Sequence, residues 1–380
     1  MRIGIVSGEF PPMTGGVGAY SQILARRMQR AGHEIQIFTD LRARSDDLSL
    51  SGKTDSWHAA TLGAIRRWSR RQRLDIVNLQ FQTAAFGMSP WVHLLPQALH
   101  PLPLVTTFHD LRAPWLFPKA GRIRKAAISW LARYSAAAIC TNQEDFDRLR
   151  GNASNCEFVP IGSNILACRP ANFSAAVWRR NAGVQDEEIL LAWFGLVNHS
   201  KGLESLLRSL ARLRDSGLPL RLVFVGGGAG DSDPGNITFG EKLDAMVLQL
   251  RLEHALLRTG FLGDADVAAW LWASDLAVLP FVDGASFRRG SLMAAIHHRC
   301  AIVTTQPAVD VPQFVHGDNM WLVPAGDEPA LQKALGMLAE SPEIRDTLRG
   351  GAARLAATFD WDVIAGATLD ILKSVLGEKS

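Results

Sequence analysis

Two doubly wound α/β domains are predicted by three observations. The chain has 380 residues, more than one ordinary hydrophobic core organises. Short apolar runs alternate with helical patterns along it, which favours parallel sheets covered on both faces. The strand, loop and helix pattern that opens the chain returns after residue 185.

Residues 2–7 (RIGIVS) read as a buried strand, 16–31 as a helix and 34–39 as a second strand. Leu24, Met28 and Ala31 share one face of that helix, and Gly32 ends it. A further strand is expected at 103–108. In the second half, 188–197 and 220–228 read as strands around a helix at 201–217, and the apolar runs 275–282 and 300–305 as two more strands. The segment 159–174 is rich in Pro, Gly, Asn and Ser with weak periodicity, so it reads as the linker. The expected domains are 1–168 and 169–358.

Composition narrows the class. A 47% hydrophobic and 20% charged chain is globular rather than disordered. Its four cysteines form no C-x-x-C pair and have no histidines at zinc spacing, which fits a reducing cytoplasm and no structural metal. The amino terminus meets prolines after one strand-length run, unlike a signal peptide, and residues 87–108 carry four prolines, unlike a spanning helix. The net charge of +3 conceals an asymmetry: residues 1–170 hold 21 Lys and Arg against 12 Asp and Glu, the remainder 19 against 25. Two acid-free segments, 64–73 and 119–134, dominate the basic half. Each reads either as a solvated helix face or as a peripheral contact with an anionic membrane. In the second, Ile123, Ala127, Trp130, Leu131 and Tyr134 fall near one face. Nucleic acid is not expected, because no stacking aromatics are interleaved in a binding-module pattern.

Ligands of open α/β sheets sit beyond the carboxyl ends of the strands, which directs attention to four loops: 8–20, 108–114, 195–202 and 280–291. In the first, Gly15 and Gly16 precede a helix whose amides suit a phosphate. With Asp40 at the next strand end this suggests a dinucleotide site. However, two prolines intervene and G-x-G-x-x-G is absent, so an NAD-dependent oxidoreductase is the weaker reading. His109 ends a strand as either a structural hydrogen bonder or a catalyst. Lys201 opens a helix, an unfavourable place for a cation unless an anion is near. Asp231 and Asp233 have metal-holding D-x-D spacing, but turn chemistry accounts for them and no metal is expected. The last loop, PFVDGASFRRGS, sets Asp283 beside Arg288 and Arg289. The stretch 79–91 reads as acceptor-lining or as core.

The stretches PPMTGGVGAYSQILARRMQRAGHEIQIFT, FGLVNHSKGLESLL, VFVGGG, RTGFLGDADVAAWLWASDLAVLPF and FDWDVIAGATLDIL resemble the retaining GT-B glycosyltransferases of family 4, in family order and over nearly the whole chain. The resemblance implies two Rossmann-like domains facing a central cleft, with a last helix at about 360–376 crossing onto the first. It implies a UDP- or GDP-linked sugar donor, as substrate rather than cofactor, on the second domain. A carbohydrate, lipid-linked or small-molecule acceptor falls to the first domain, and no metal is required. Carried over by position, Gly15 and Gly16 lie near the donor diphosphate, His109 beside the transferred sugar and Lys201 on the phosphates. The backbone of Phe261 and Leu262 cradles the base.

The chain departs from the pattern twice. Leu196 stands where the family has an arginine, and the second of two paired glutamates is missing. Depending on the anchor, the acid positions are Asp283 and Ser291, or Ser286 and Ala294. Arg288 or Arg289 is expected to replace the lost arginine, with Asp283 acting at the donor sugar. Envelope polysaccharide or glycoconjugate synthesis in the cytoplasm, at or near the inner membrane face, is the expected setting. A catalytically silent sugar-nucleotide-binding or partner subunit is the alternative.

Overall fold

The computed structural model describes residues 1–13, 15–111, 121–226 and 234–377, apart from the side chains of Arg122 and of residues 234–237. Asp231 and Asp233 lie outside the described residues. The chain forms two compact units, Met1–Asn164 with Phe359–Ser380, and Ile165–Thr358.

The first unit is a seven-stranded parallel sheet: β1 (Arg2–Ser7), β2 (Glu34–Asp40), β3 (Ser49–Thr54), β4 (Ile76–Gln82), β5 (Leu104–Asp110), β6 (Ala137–Cys140) and β7 (Cys156–Phe158). Their order is β3-β2-β1-β4-β5-β6-β7, so the chain reverses its direction of travel between β1 and β4. Ile3, Ile5, Val6, Ile76, Val77 and Leu79 have no exposed surface, because helices cover both faces of the sheet.

The helix Gly16–Arg30 buries Val17, Tyr20, Leu24 and Met28. It ends one residue earlier than its periodicity suggests, with Ala31 exposed as its cap. Against it lies the final helix, Trp361–Leu376, begun by the Asp360 carboxylate accepting from the Asp362 amide. The Trp361 ring meets Tyr20 at 5.1 Å, and its Nε1–H donates to the Ser163 carbonyl at 2.7 Å. Truncating a buried tryptophan of this kind costs about 3–5 kcal/mol.

The two basic segments are surface helices. In Ala59–Arg71, Ile65 and Trp68 enter the core while Arg66, Arg67, Arg70 and Arg71 are exposed. In Gly121–Tyr134 the expected single apolar face divides. Leu131 is buried with Ile128 and Ala132, whereas Ile123, Trp130 and Tyr134 remain exposed. Among the described residues, no helix is long and apolar enough to cross a membrane.

The second unit is a six-stranded parallel sheet: β8 (Ile189–Phe194), β9 (Leu220–Val225), β10 (Leu256–Arg258), β11 (Leu276–Leu279), β12 (Ile302–Thr305) and β13 (Trp321–Val323). Its order, β10-β9-β8-β11-β12-β13, places the reversal between β8 and β11. In both units that reversal opens a crevice beyond the strand ends, where ligands of doubly wound sheets bind.

Candidate active site

In the second unit β8 and β11 are neighbours, so the loops that follow them lie side by side. The Val282 amide donates to the Ser200 carbonyl at 3.0 Å, joining the two. Gly202 makes this approach possible. Its φ is +66°, and a Cβ there would overlap the Pro280 carbonyl. Residues His199–Lys201 form a single 3-10 turn, and the α-helix Leu203–Asp215 begins only after Gly202. Lys201 therefore stands in the loop before the helix, which corrects its expected place at the helix start.

From that loop Lys201 Nζ donates to Ser291 Oγ at 3.2 Å and lies 5.2 Å from the centre of the Phe281 ring. The Arg289 guanidinium covers the same ring at 4.8 Å. It pairs with Asp283, and its Nη1 reaches Ser200 Oγ at 3.4 Å. Two cations thus share one aromatic ring, and the carboxylate beside them is that of Asp283, which is half exposed. Burial and the nearby Arg289 charge push the Lys201 ammonium down to about 8, against an opposing pull from Asp283. Such a cluster favours an incoming anion, which would relieve the repulsion between the cations.

The other residues singled out in this unit take distinct places. Arg288 is partly buried beside Arg289, whose guanidinium lies over the ring that Lys201 also meets. The Ser286 carbonyl accepts from the Arg289 amide at 3.0 Å, forming the turn before the helix Gly290–His297. Ser291 is buried on that helix. Leu196 is 58% exposed and Phe261 is 94% exposed, with Leu262 partly buried beside it. A ring that exposed is itself available to a flat ligand, whereas the resemblance assigns only backbone there.

In the first unit, the loops after β1, β2, β3 and β4 surround a cavity of about 600 Å³. Glu9, Arg42, Trp57 and Trp91 are among its walls, and Ala84–Trp91 form one side. The stretch 79–91 therefore divides, since Leu79, Phe81 and Phe86 are core. The helix that follows Gly15 already holds an anion of the protein's own. Glu9 Oε1 accepts from the amides of Val17 and Gly18 at 3.0 and 3.1 Å, and a Cβ on Gly15 would overlap that carboxylate. The missing side chain at Gly15 is accounted for by Glu9, while Gly16 is the first residue of the helix. The Asp40 carboxylate is likewise taken, by Arg42 at 2.9 and 3.0 Å.

His109 is buried at the end of β5. Register explains its direction: Phe81 pairs with Phe108 and Gln82 with Asp110, leaving His109 as the extra residue of a bulge. Its Nε2 lies 2.9 Å from Gln80 Oε1, Gln80 Nε2 donates to Asn78 Oδ1, and Asn78 Nδ2 donates to Thr107 Oγ1 at 3.0 Å. This ladder fixes the tautomer, with the proton on Nε2 and a lone pair on Nδ1. Burial pushes the imidazole down to about 3, and the Tyr20 ring meets it edge-on at 4.7 Å. His109 should therefore stay neutral from pH 5 to 9. Nitrogen NMR is expected to show one unchanging Nε2–H tautomer, and a midpoint near 6.5 would contradict the ladder.

Residues 14–162 match the family model described as Glycosyltransferase Family 4, and residues 188–341 the model described as Glycosyl transferases group 1. The chain is 28% identical over 229 residues to a D-inositol 3-phosphate glycosyltransferase of Streptomyces griseus, covering 58% of this chain and 46% of that protein. It thus spans about half the length of that curated relative. The sucrose-phosphate synthase of Thermosynechococcus elongatus superposes with a TM-score of 0.76 at 17% identity, over 99% of each chain. HepE from Anabaena in complex with UDP-glucose gives a TM-score of 0.74 at 17% identity, over 98% of this chain and 100% of that one.

Proposed function

The chain belongs to the glycosyltransferases, with a family 4 domain followed by a group 1 domain on a GT-B fold, and on that premise we propose that it moves a sugar from a UDP- or GDP-linked donor to a carbohydrate or lipid-linked acceptor, with retention at the anomeric carbon. The observation that carries the donor assignment is the Lys201 and Arg289 pair on Phe281. A nucleoside diphosphate is the group that gains most charge as the sugar leaves, so cations fixed in its place stabilise the transition state most. Arg289 then supplies the guanidinium that Leu196 cannot.

Ser291 makes a second compensation. A carboxylate at that position would sit against Lys201 and neutralise it, whereas the hydroxyl leaves the ammonium charged for the donor. Phosphate binding is assigned to Lys201 and Arg289, and not to the Gly15 and Gly16 loop, whose helix end Glu9 occupies. The partly exposed Asp283 holds Arg289, and in this reading it acts at the donor sugar. In the first unit, His109 keeps its Nδ1 lone pair to accept from a sugar hydroxyl. The leaving phosphate takes the acceptor proton as the acceptor attacks from the same face. No metal enters these steps.

The fit of the HepE neighbour, whose structure holds UDP-glucose, supports a sugar nucleotide as donor. The test is a screen of UDP- and GDP-sugars by thermal shift, followed by an anomer-resolved spectrum of the product. A ligand that binds only the folded state raises its melting temperature. Stabilisation by a sugar nucleotide and a product with the donor's anomeric configuration are expected. Inversion would overturn the mechanism. Binding without hydrolysis or transfer would instead favour a silent binding subunit, the reading suggested by the departures at Leu196 and Ser291.

A further inference from the structure

The second unit has another cavity, at the opposite end of its sheet from Lys201 and Arg289. Its walls come from residues that precede β11 and β12, where Trp272, Ser274, His297 and Arg299 lie, and from Arg169 and Arg349. β11 has four residues and rises about 13 Å, so this cavity is separated from the donor loops by at least the length of a strand. Its volume is about 610 Å³, room for a phosphorylated metabolite.

The charged side chains lining it are arginines, of which Arg349 is already paired with Asp346. Arg169, Arg299 and Arg349 converge there, and no carboxylate-bearing residue lines it among the described residues. Arg169 and Arg299 are exposed. Arg349 is held in place from behind, by Asp346 at 2.9 Å and by the Asp275 carbonyl at 3.1 Å. Beneath them His298 is buried, its Nδ1–H donating to the Ala294 carbonyl at 2.8 Å, with the Trp272 ring 5.2 Å away. Arg169, whose guanidinium lies 5.2 Å from the centre of the Phe173 ring, and Arg299 are the exposed cations of the wall, and guanidinium forks suit phosphate oxygens.

We propose that this recess binds a small phosphate-bearing ligand, separately from the donor site, through Arg169, Arg299 and Arg349. None of these residues belongs to the donor cluster, so the inference does not depend on the transferase reading. A purely solvated set of arginines would show no saturable binding.

The wall also includes the exposed thiol of Cys168, which gives a local readout. The experiment measures alkylation of Cys168 by iodoacetamide, resolved by peptide mass spectrometry, with inorganic phosphate, pyrophosphate and anionic phosphatidylglycerol vesicles as probes. It uses the full chain carrying Lys201→Met, which removes the main cation of the donor site. Pyrophosphate is expected to slow alkylation saturably, and Arg169→Glu with Arg299→Glu to weaken that protection about tenfold or more. Melting temperatures of the variants, expected unchanged because both side chains are exposed, separate lost binding from lost folding. No saturable protection by either soluble anion overturns the proposal. Protection by the vesicles alone overturns it as well, since the recess would then be reading a lipid surface.

Discussion

Lys201→Met is expected to weaken donor binding by about 100-fold, about 2.7 kcal/mol, without lowering the melting temperature of the unliganded protein. Each charge-assisted hydrogen bond to a phosphate is worth about 1.5–3 kcal/mol, and Lys201 is placed to make them from a partly dehydrated position. Methionine keeps the length and apolar stem of the side chain while removing a charge that crowds Arg289. The pH dependence follows from the same cause. Burial and Arg289 lower this ammonium from 10.5 to about 8, so its charge costs stability below pH 8 and that cost is relieved as pH rises toward 10.5. Donor binding favours the charged form and runs the other way. Affinity should be flat below pH 8 and fall by up to about tenfold per pH unit above it. In Lys201→Met that inflection should vanish. Isothermal titration between pH 6.5 and 9.5 checks both statements, and an unchanged profile in the variant would refute the role of Lys201.

Gly202→Ala should be the most damaging small substitution in the second unit. The residue has φ +66° and ψ 24°, a region that costs a non-glycine residue about 1 kcal/mol or more. Its new Cβ would also overlap the Pro280 carbonyl, a backbone atom that no rotamer change can move. The loops carrying Lys201 and Arg289 would have to part. A loss of about 2–4 kcal/mol in stability is expected, with donor affinity falling as the two cations separate. Gly217→Ala is the matched control. Its φ is +94°, but nothing lies within 4 Å of the added Cβ. It should cost only the conformational part, about 1 kcal/mol, and leave donor affinity as it was. Urea unfolding and a donor isotherm for both variants would show whether the effect is steric closeness or backbone strain alone.

The parts of the fold legible from sequence are those set by local periodicity. β1, β2 and the helix between them follow from apolar spacing within about 40 residues. The donor cluster was half legible, because Lys201 and Arg289 both stand in loops after strands, which is where a parallel sheet puts its chemistry. Their shared ring, Phe281, was hidden in what reads as an ordinary strand end.

What local spacing leaves open depends on pairing across the chain. The bulge that turns His109 arises from the register of β5 on β4, and no pattern within β5 announces it. The ladder behind His109 had one signal, the polar residues Asn78 and Gln80 two apart inside a buried run, where a polar side chain needs a partner. Glu9 was missed because its carboxylate reaches eight residues along the chain to cap a helix. In the helix Gly121–Tyr134 two apolar stripes compete, and packing rather than periodicity selects Ile128, Leu131 and Ala132.

The most direct test of the donor clamp is the sugar-nucleotide isotherm of Arg289→Ala beside that of Arg288→Ala, using the donor identified by thermal shift. Arg289 shares the Phe281 ring with Lys201, so its loss should weaken donor binding about tenfold or more, while loss of Arg288 should change it by less than about twofold. Equal and undiminished affinity in both variants would contradict the clamp.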